Sequence, residues 1–225
     1  MKADRRRLII FDVDGTLVDS QEAIVAALSM AFEAEGLDPL SRERFLSIVG
    51  LSLDEVFADL VPGASIAQRA RLVAGYKDAY LRMRSEGRAE AEAPMFPGAR
   101  DLVLSWHDRG AVLAVATGKA RRGVAHFLDR HDLNGRFSVI QTADDAPSKP
   151  HPQMVLNCLS GTDVKPEDAV IVGDTEFDMA MGVAAGVRRI GVGWGYHPID
   201  RVTRGGAEVI AGDVGHLDQL LHEIW

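Results

Sequence analysis

Residues 11–20 read Phe11-Asp12-Val13-Asp14-Gly15-Thr16-Leu17-Val18-Asp19-Ser20, and this stretch indicates both the fold and the chemistry of the chain. The apolar run before it, from Leu8 to Phe11, predicts a short buried strand that ends at Asp12. Gly15 predicts a turn, so Asp12 and Asp14 lie at the carboxyl end of the strand, where open parallel sheets bind ligands. Two carboxylates there suit a metal-assisted phosphoryl transfer, in which one attacks phosphorus and the other moves protons. The alternative is an Asp-Gly turn whose acids only cap the next helix.

The chain beyond Gly98 alternates between helical and strand patterns, which is typical of a parallel sheet with crossover helices. Strands are predicted at 111–116, 137–141, 169–172, 189–192 and 208–210, and helices at 98–109, 119–131, 153–159, 176–185 and 214–224. Between the first strand and this region, helical patterns begin at Ser20, Ser41, Ser52 and Ser65, and Ser52 with Glu55 matches a capping box. The predicted fold is α/β: a Rossmann-like parallel-sheet core, residues 1–18 and 96–225, with a small all-helical domain, residues 19–95, inserted after the first strand.

Composition limits the partners and the compartment. The 225 residues carry a formal net charge of −8 and the pI is near 5.4, which argues against nucleic acid or a membrane surface as a partner. The amino-terminal apolar run is too short for a signal peptide or a membrane span, and the single cysteine, Cys158, suits a reducing compartment, so a cytoplasmic location is expected. A monomer and a homodimer remain equally open, because apolar faces of the inserted helices suit a core or an interface.

Polar residues follow two of the later strands and can converge on Asp12 despite their separation in sequence. Thr117 offers a hydroxyl, and Gly118 lets backbone amides approach an anion at a helix start. Lys149, in Lys149-Pro150-His151-Pro152, is a point charge suited to a phosphate or to the attacking carboxylate. Each also has a plain structural interpretation, as a Thr cap and as an exposed lysine.

A further pair of acids, Asp174 and Asp178, follows the predicted strand at 169–172. Magnesium takes oxygen ligands and keeps several waters, so one or two carboxylates brought close to Asp12 are sufficient to hold it. The alternative is a pair of acids favoured by the dipole at a helix start. Their position alone is compatible with both a Mg²⁺ site beside Asp12 and acids at a helix start.

These four segments together resemble a known family. Asp-x-Asp-Gly-Thr-Leu-x-Asp-Ser at 12–20 resembles the first motif of the haloacid-dehalogenase-like phosphatases, and the other three resemble the later motifs in the same order. The insert position and the stretch 182–187 resemble the phosphoglycolate phosphatase branch. The resemblance implies a magnesium-dependent phosphatase that acts on a small phosphorylated metabolite through an aspartyl-phosphate, with 2-phosphoglycolate as one candidate.

The resemblance also implies a role for each matching residue. Asp12 would be the nucleophile and a metal ligand, and Asp14 the general acid and base, with its backbone carbonyl on the metal. Asp174 would bind the metal directly, and Asp178 would act through water or orient Lys149. The phosphate would be held by Asp14, Thr117, Gly118 and Lys149.

The inserted helices are expected to form a cap that closes over the site and selects the leaving group. Hinges are expected near 18–20 and 91–96, and the loop residues Gly50, Leu51 and Ser52 are candidates for reading the substrate. This loop has no basic residue, so a second negative charge on the substrate would have to find Arg42, Arg44, Lys77 or Lys119. Each of these four is expected to be a solvated surface residue.

A phosphomutase, a dehalogenase and a noncatalytic binding protein are the alternatives to a phosphatase. A phosphomutase would keep the same acids but pass the phosphoryl group to a sugar hydroxyl. A dehalogenase relative would not need Asp14. A noncatalytic binding protein should have lost Asp12, Lys149 or Asp174, and all three are present.

Overall fold

The protein is built on one six-stranded parallel sheet. The computed structural model describes residues 6–88 and 93–224, and its strands lie in the order β3-β2-β1-β4-β5-β6. The strands are β1 (Leu8–Phe11), β2 (Val112–Ala116), β3 (Val139–Gln141), β4 (Ala169–Gly173), β5 (Arg188–Val192) and β6 (Val209–Ala211). This is a Rossmann-like order, in which the direction of winding reverses between β1 and β4. The predicted α/β fold is confirmed.

Ten α-helices lie in the described residues. The first four in chain order are α1 (Gln21–Ala34), α2 (Arg42–Leu46), α3 (Leu53–Leu60) and α4 (Ile66–Ser85). The others are α5 (Ala99–Asp108), α6 (Arg121–Arg130), α7 (Gln153–Thr162), α8 (Glu176–Ala185), α9 (Ile199–Arg204) and α10 (Val214–Ile224). The sequence did not predict α9, because its six residues are too few to show an apolar period. No helix in the described ranges is long and apolar enough to cross a bilayer.

Two of the four serines that were predicted to begin helices cap them with their side chains. The hydroxyls of Ser41 and Ser65 accept bonds from backbone amides in the first turns of α2 and α4. The predicted capping box at Ser52 and Glu55 is wrong, because the backbone amide of Ser52 donates instead to Ser148 Oγ at 2.8 Å. Ser20 precedes α1 but makes no side-chain cap bond.

The sheet is buried on both faces, as its continuous apolar strands require. One face carries Ile9, Phe11, Val115 and Val172 and packs against α5, α6 and α10. The other face carries residues such as Ile10 and Ile171 and packs against α7 and α8. Helices on both faces leave only the strand ends open for a ligand.

The helices α1 to α4, residues 21–85, form a helical insert with a core of its own. Phe32, Phe45, Phe57 and Leu72 are buried in it, and the rings of Phe32 and Phe45 meet edge to face at 5.3 Å. The chain enters and leaves the insert side by side: the Asp19 amide donates to the Pro94 carbonyl at 2.8 Å and the Phe96 amide to the Leu17 carbonyl at 3.0 Å. Of the expected hinge at 91–96, residues 91 and 92 lie outside the described residues.

Truncation of Phe45 should destabilise the helical insert. Phe45 is fully buried, so Phe45→Ala leaves a cavity and is expected to lower the free energy of unfolding by about 3–5 kcal/mol in urea titration. Ile66→Ala is the matched control, because Ile66 is 81% exposed and its loss should cost less than about 0.5 kcal/mol. Equal effects from the two variants would contradict the insert core described above.

Candidate active site

The polar residues singled out in the sequence meet at the point where the sheet reverses its winding. Phe11, the last residue of β1, lies opposite Val115 of β2 and Val172 of β4. Asp12 therefore emerges between the segments that follow β2 and β4, which carry Thr117 and Asp174. Short strands that end in register bring residues separated by more than a hundred positions to one edge.

Asp12 is a buried carboxylate with an unusual environment. It is 1% exposed, and within the described residues neither of its oxygens has a hydrogen-bond partner. The Lys149 ammonium lies 3.0 Å from Asp12 Oδ1 and donates to Asp178 Oδ1 at 2.6 Å. Burial raises the pKa of Asp12 to about 6, although the charge of Lys149 lowers it and that of Asp178 raises it further.

Lys149 is fully buried and stays charged because of its two partners. Burial alone would lower its pKa, but the carboxylates of Asp12 and Asp178 raise that pKa above the ordinary value. Asp178 is held in turn by Thr175, whose hydroxyl donates to Asp178 Oδ2 at 2.6 Å in a true capping box at the start of α8. Asp178 therefore contacts Lys149 directly, and its role, in orienting Lys149 or in acting through water, stays a prediction. Lys149 is therefore not the exposed lysine of the alternative interpretation.

Asp174 follows β4 and is held from two sides. Thr16 Oγ1 donates to its Oδ1 at 3.0 Å, and the Tyr196 amide donates to its Oδ2 at 2.8 Å. Gly15 and Gly195 make room for it, because a Cβ at either position would lie within 2.2 Å of an Asp174 atom. Burial raises the pKa of Asp174 well above its usual range, with the charges of Asp12 and Asp178 adding to the effect.

Asp14 lies in the same site but faces different partners. Ser20 Oγ donates to its Oδ1 at 2.5 Å, and Lys119 Nζ lies 2.7 Å from Oδ1 and 3.1 Å from Oδ2. The sequence-based expectation that Lys119 is a solvated surface residue is wrong, because this ion pair and the Tyr80 ring, 5.7 Å from Nζ, cover it. Ser20 binds the carboxylate instead of capping α1.

Thr117 and Gly118 form the tight turn after β2. Thr117 is buried, and its hydroxyl accepts a bond from the Lys119 amide at 3.3 Å, so it is not the N-cap of α6, which is Ala120. A Cβ at Gly118 would lie 2.4 Å from the Gly50 carbonyl oxygen and 2.7 Å from that of Leu51. The loop between α2 and α3 therefore rests directly on the Gly118 backbone.

A cavity of about 400 Å³ lies between the helical insert and the core. Asp12, Asp14, Thr117 and Gly118 line its floor, and Gly50 and Leu51, but not Ser52, line its side. Mostly apolar and aromatic residues line the rest of the insert side, namely Ile24, Leu28, Ile48, Val49, Leu53, Val56, Tyr76 and Tyr80. A leaving group attached to a phosphate at Asp12 would enter this cavity.

The donor set fits a hard divalent cation. One oxygen each from Asp12, Asp174 and Asp178 lie within 4.8 Å of one another. These residues and Asp14 supply four carboxylates against the ammonium groups of Lys149 and Lys119, so the site carries excess negative charge. All the donors are oxygens, and the orphaned oxygens of Asp12 are among them, which suits magnesium.

Fold and site together define an α/β enzyme with an acid-rich centre at a sheet switch point. A family model described as haloacid dehalogenase-like hydrolase matches residues 9–192. The chain belongs to the haloacid dehalogenase-like hydrolase family, and it is a hydrolase of the phosphatase kind within it. The resemblance seen in the four motifs is confirmed.

Named relatives and solved structures agree with this assignment. The "Probable phosphatase IndB" of Dickeya dadantii is 31% identical over 204 residues, covering 90% of this chain and 88% of that protein. "Phosphoglycolate phosphatase 1" of Pseudomonas aeruginosa is 32% identical over 204 residues, covering 85% and 71%. The crystal structure of a hydrolase from Pseudomonas syringae superposes with a TM-score of 0.86 at 26% identity, over 97% of this chain and 99% of that one.

The sequence did not predict that several other residues contact the carboxylates of the site. Thr16, Ser20, Lys119 and Tyr196 contact its carboxylates, and Tyr196 also reaches the insert through a 2.7 Å bond from the Ser20 amide to its hydroxyl. Thr16 and Ser20 lie inside the first motif, so their position was a usable signal. Tyr196 lies in a glycine-rich loop after β5, and only the fold reveals its contacts.

Proposed function

We propose that the protein is a magnesium-dependent phosphatase that hydrolyses a small phosphate monoester through an aspartyl-phosphate on Asp12. The observation that carries the proposal is the Asp12 carboxylate, which is buried, faces the cavity and has the Lys149 ammonium 3.0 Å from its Oδ1. Its Oδ2 has no hydrogen-bond partner among the described residues, so that oxygen keeps its lone pairs available for attack on phosphorus. 2-Phosphoglycolate is one candidate ester.

In the first half-reaction an Asp12 oxygen forms a bond to phosphorus while the bond from phosphorus to the leaving oxygen breaks. Lys149 and the amides after Thr117 stabilise the phosphoryl oxygens, and Gly118 admits the phosphate close to the backbone. Asp14 gives its proton to the leaving oxygen, so the product departs as a neutral alcohol.

In the second half-reaction Asp14, now a carboxylate, takes a proton from a water molecule whose oxygen bonds to phosphorus. The bond from phosphorus to Asp12 breaks, and inorganic phosphate leaves with Asp12 restored. Ser20 and Lys119 hold the Asp14 carboxylate within hydrogen-bonding distance, which fixes the direction in which it acts.

Magnesium would be held by Asp12 and Asp174 and by the backbone carbonyl of Asp14. It supplies positive charge that neutralises phosphate oxygens as the carboxylate approaches. Asp178 keeps Lys149 in place beside that site, since its other oxygen is taken up by Thr175.

The helical insert would serve as a cap domain, residues 19–95, over a core of residues 1–18 and 96–225. Contacts between the two support a closed arrangement: the Ser52 amide meets Ser148, and Arg201 of α9 donates to the Ser47 carbonyl at 3.3 Å. Residues 1–5, 89–92 and 225 of these ranges lie outside the described residues. A closed insert would exclude water from the site before the first half-reaction.

Removal of magnesium should abolish most activity. Release of inorganic phosphate from a panel of esters, including phenyl phosphate, 2-phosphoglycolate and hexose phosphates, is expected to fall at least about 100-fold when the metal is chelated. Adding back Mg²⁺ should restore the rate. Phosphate release that is unaffected by chelation would contradict the proposed metal requirement.

Product analysis separates hydrolysis from the mutase alternative. A hydrolase yields one inorganic phosphate for each ester consumed, whereas a mutase yields an isomeric phosphate ester and little free phosphate. The same reactions, followed by phosphorus NMR, give both quantities. Stoichiometric isomer formation with any hexose phosphate would replace the phosphatase proposal.

A further inference from the structure

The cavity above the candidate active site continues into a strongly basic region. A second cavity of about 360 Å³ adjoins the first, and Leu81, Arg84, Arg122, His126 and Arg130 line both. Arg88 also lines the second cavity, and no acidic residue does so among the residues that the structure describes. The acids of the first cavity are Asp12 and Asp14 at its floor and Asp144, which accepts the Arg121 amide.

Three of these basic residues form one stripe on α6. Arg122, His126 and Arg130 are spaced four residues apart, so their side chains lie on one face of the helix. Arg122 lies in the first turn of α6, where the helix dipole disfavours a cation. Stability of α6 alone therefore does not account for Arg122 at this position.

The neighbouring arginine shows how such a charge is normally compensated. Arg121 forms an ion pair with Asp145, which also accepts bonds from Thr142. Arg122 has no hydrogen bond or ion pair with its side chain among the described residues, although it is adjacent in sequence. Among the described residues, Asp145 thus neutralises Arg121, whereas no carboxylate pairs with Arg122, which lines both cavities.

Arg84 faces the same region from the helical insert. It lies in the last turn of α4, and in the described chain no carboxylate pairs with its side chain. Burial lowers the pKa of His126, and the charges of Arg84, Arg130 and Lys119 lower it further. The cationic side chains of α4 and α6 therefore line the same pair of adjoining cavities.

We propose that Arg84 and Arg122 bind a second anionic group, a carboxylate or a phosphate, at the end of the substrate remote from the scissile phosphate. The inference rests on the proposed function, since it concerns the leaving group of that reaction. The apolar and aromatic residues on the insert side of the first cavity would hold an uncharged spacer in the leaving group. A substrate of this class is longer than 2-phosphoglycolate, whose carboxylate lies only one carbon from the ester oxygen.

Binding of non-hydrolysable phosphonates tests the proposal without turnover. Alkylphosphonates with chains of one to six methylenes would be compared with ω-phosphonocarboxylates and α,ω-diphosphonates of the same lengths, by calorimetry with Mg²⁺ present. The terminal anion is expected to tighten binding at least about tenfold at one or more lengths beyond two methylenes. The carboxylate and diphosphonate arms identify which anion is preferred.

Single-residue variants test whether the two arginines cause the gain in affinity from the terminal anion. Arg84→Gln and Arg122→Gln should each remove most of the gain from the terminal anion while leaving the affinity for plain alkylphosphonates unchanged. Arg82→Gln is the matched control, because Arg82 lies in the same turn of α4 but is exposed and does not line either cavity.

The outcomes separate this inference from the proposed function. If plain phosphonates bind but a terminal anion adds nothing at any length, the inference is overturned while the phosphatase proposal stands. A gain that survives both arginine substitutions also overturns it, because another group would then hold the anion. If no phosphonate binds and no ester of the panel is hydrolysed, both proposals fail.

Discussion

Asp12→Asn is expected to reduce phosphate release at least about 10⁴-fold, since loss of a nucleophile costs on the order of 10⁶-fold in hydrolases that depend on one. Asparagine has nearly the same shape but is a far weaker nucleophile than a carboxylate. The amide cannot form the aspartyl-phosphate, so the loss should be in kcat rather than in KM. Rates with the preferred ester, measured under saturating Mg²⁺, give the comparison.

The same substitution should leave the fold intact. In the metal-free protein the pKa of Asp12 is raised to about 6 from 3.8, so its contribution to stability is present at low pH and is lost as the pH rises through about 6. A neutral side chain avoids that loss, and at pH 7.5 the melting temperature of Asp12→Asn without metal should equal or exceed that of the wild type. Mg²⁺ should raise the melting temperature of the variant less than it raises that of the wild type.

Two further measurements test whether Asp12 is the nucleophile. Asp12→Ala should be as inactive as Asp12→Asn, whereas a positional role alone would let the isosteric variant keep much of its activity. Trapping of a phosphorylated protein in acid-quenched reactions should succeed for the wild type and fail for both variants. Most of the wild-type rate in Asp12→Asn would end the aspartyl-phosphate proposal.

The sequence predicted the floor of the site better than its walls. Asp12, Thr117 and Asp174 each follow a strand with a clear apolar run, so the rule for parallel sheets brings them together without knowledge of side-chain packing. Lys149 lies in the longer loop between β3 and α7, so the same rule places it at this edge, but its contact with Asp12 depends on the path of that loop. Lys119, in contrast, looked like an ordinary surface lysine, and its ion pair with Asp14 depends on how the insert covers it.

The walls depend on contacts between distant segments. Tyr196, in a loop after β5, contacts Asp174 and Ser20. The backbone amide of Ser52 donates to Ser148 instead of taking part in a capping box. Neither pairing has a local sequence signal, because both arise where the insert meets the core. Arg84 lies on α4 and Arg122 on α6, far apart in the sequence. That they line one cavity is therefore visible only in the three-dimensional structure.

Lys149→Met is the second change with a large expected effect, and here the effect is on stability as well as on turnover. Methionine keeps an unbranched side chain of similar length but removes the charge that faces Asp12 and Asp178. Breaking a buried ion pair from one side typically costs about 3–5 kcal/mol, because the remaining charges are left uncompensated. The free energy of unfolding in metal-free buffer should fall by that amount, and activity should be lost with it.

The matched control separates the lost charge from the substitution itself. Lys165 is exposed, so Lys165→Met should change the free energy of unfolding by less than about 0.5 kcal/mol. In a double-mutant cycle with Asp178→Asn, which can still accept the bonds from Thr175, the loss from Lys149→Met should shrink. Additive effects of the two substitutions would show that Lys149 and Asp178 do not depend on each other.

The same charges determine how the stability of Lys149→Met depends on pH and on Mg²⁺. Without the ammonium, the raised folded-state pKa of Asp12 rises further, and a group with a raised pKa stabilises the fold at low pH and loses that contribution as the pH increases. The stability difference from wild type should therefore be smallest near pH 5 and grow toward pH 8. Mg²⁺ should recover part of it, because the cation would then be the main positive charge beside Asp12, Asp174 and Asp178. A difference that is constant across this range and insensitive to Mg²⁺ would mean that lost packing, not uncompensated charge, destabilises the variant.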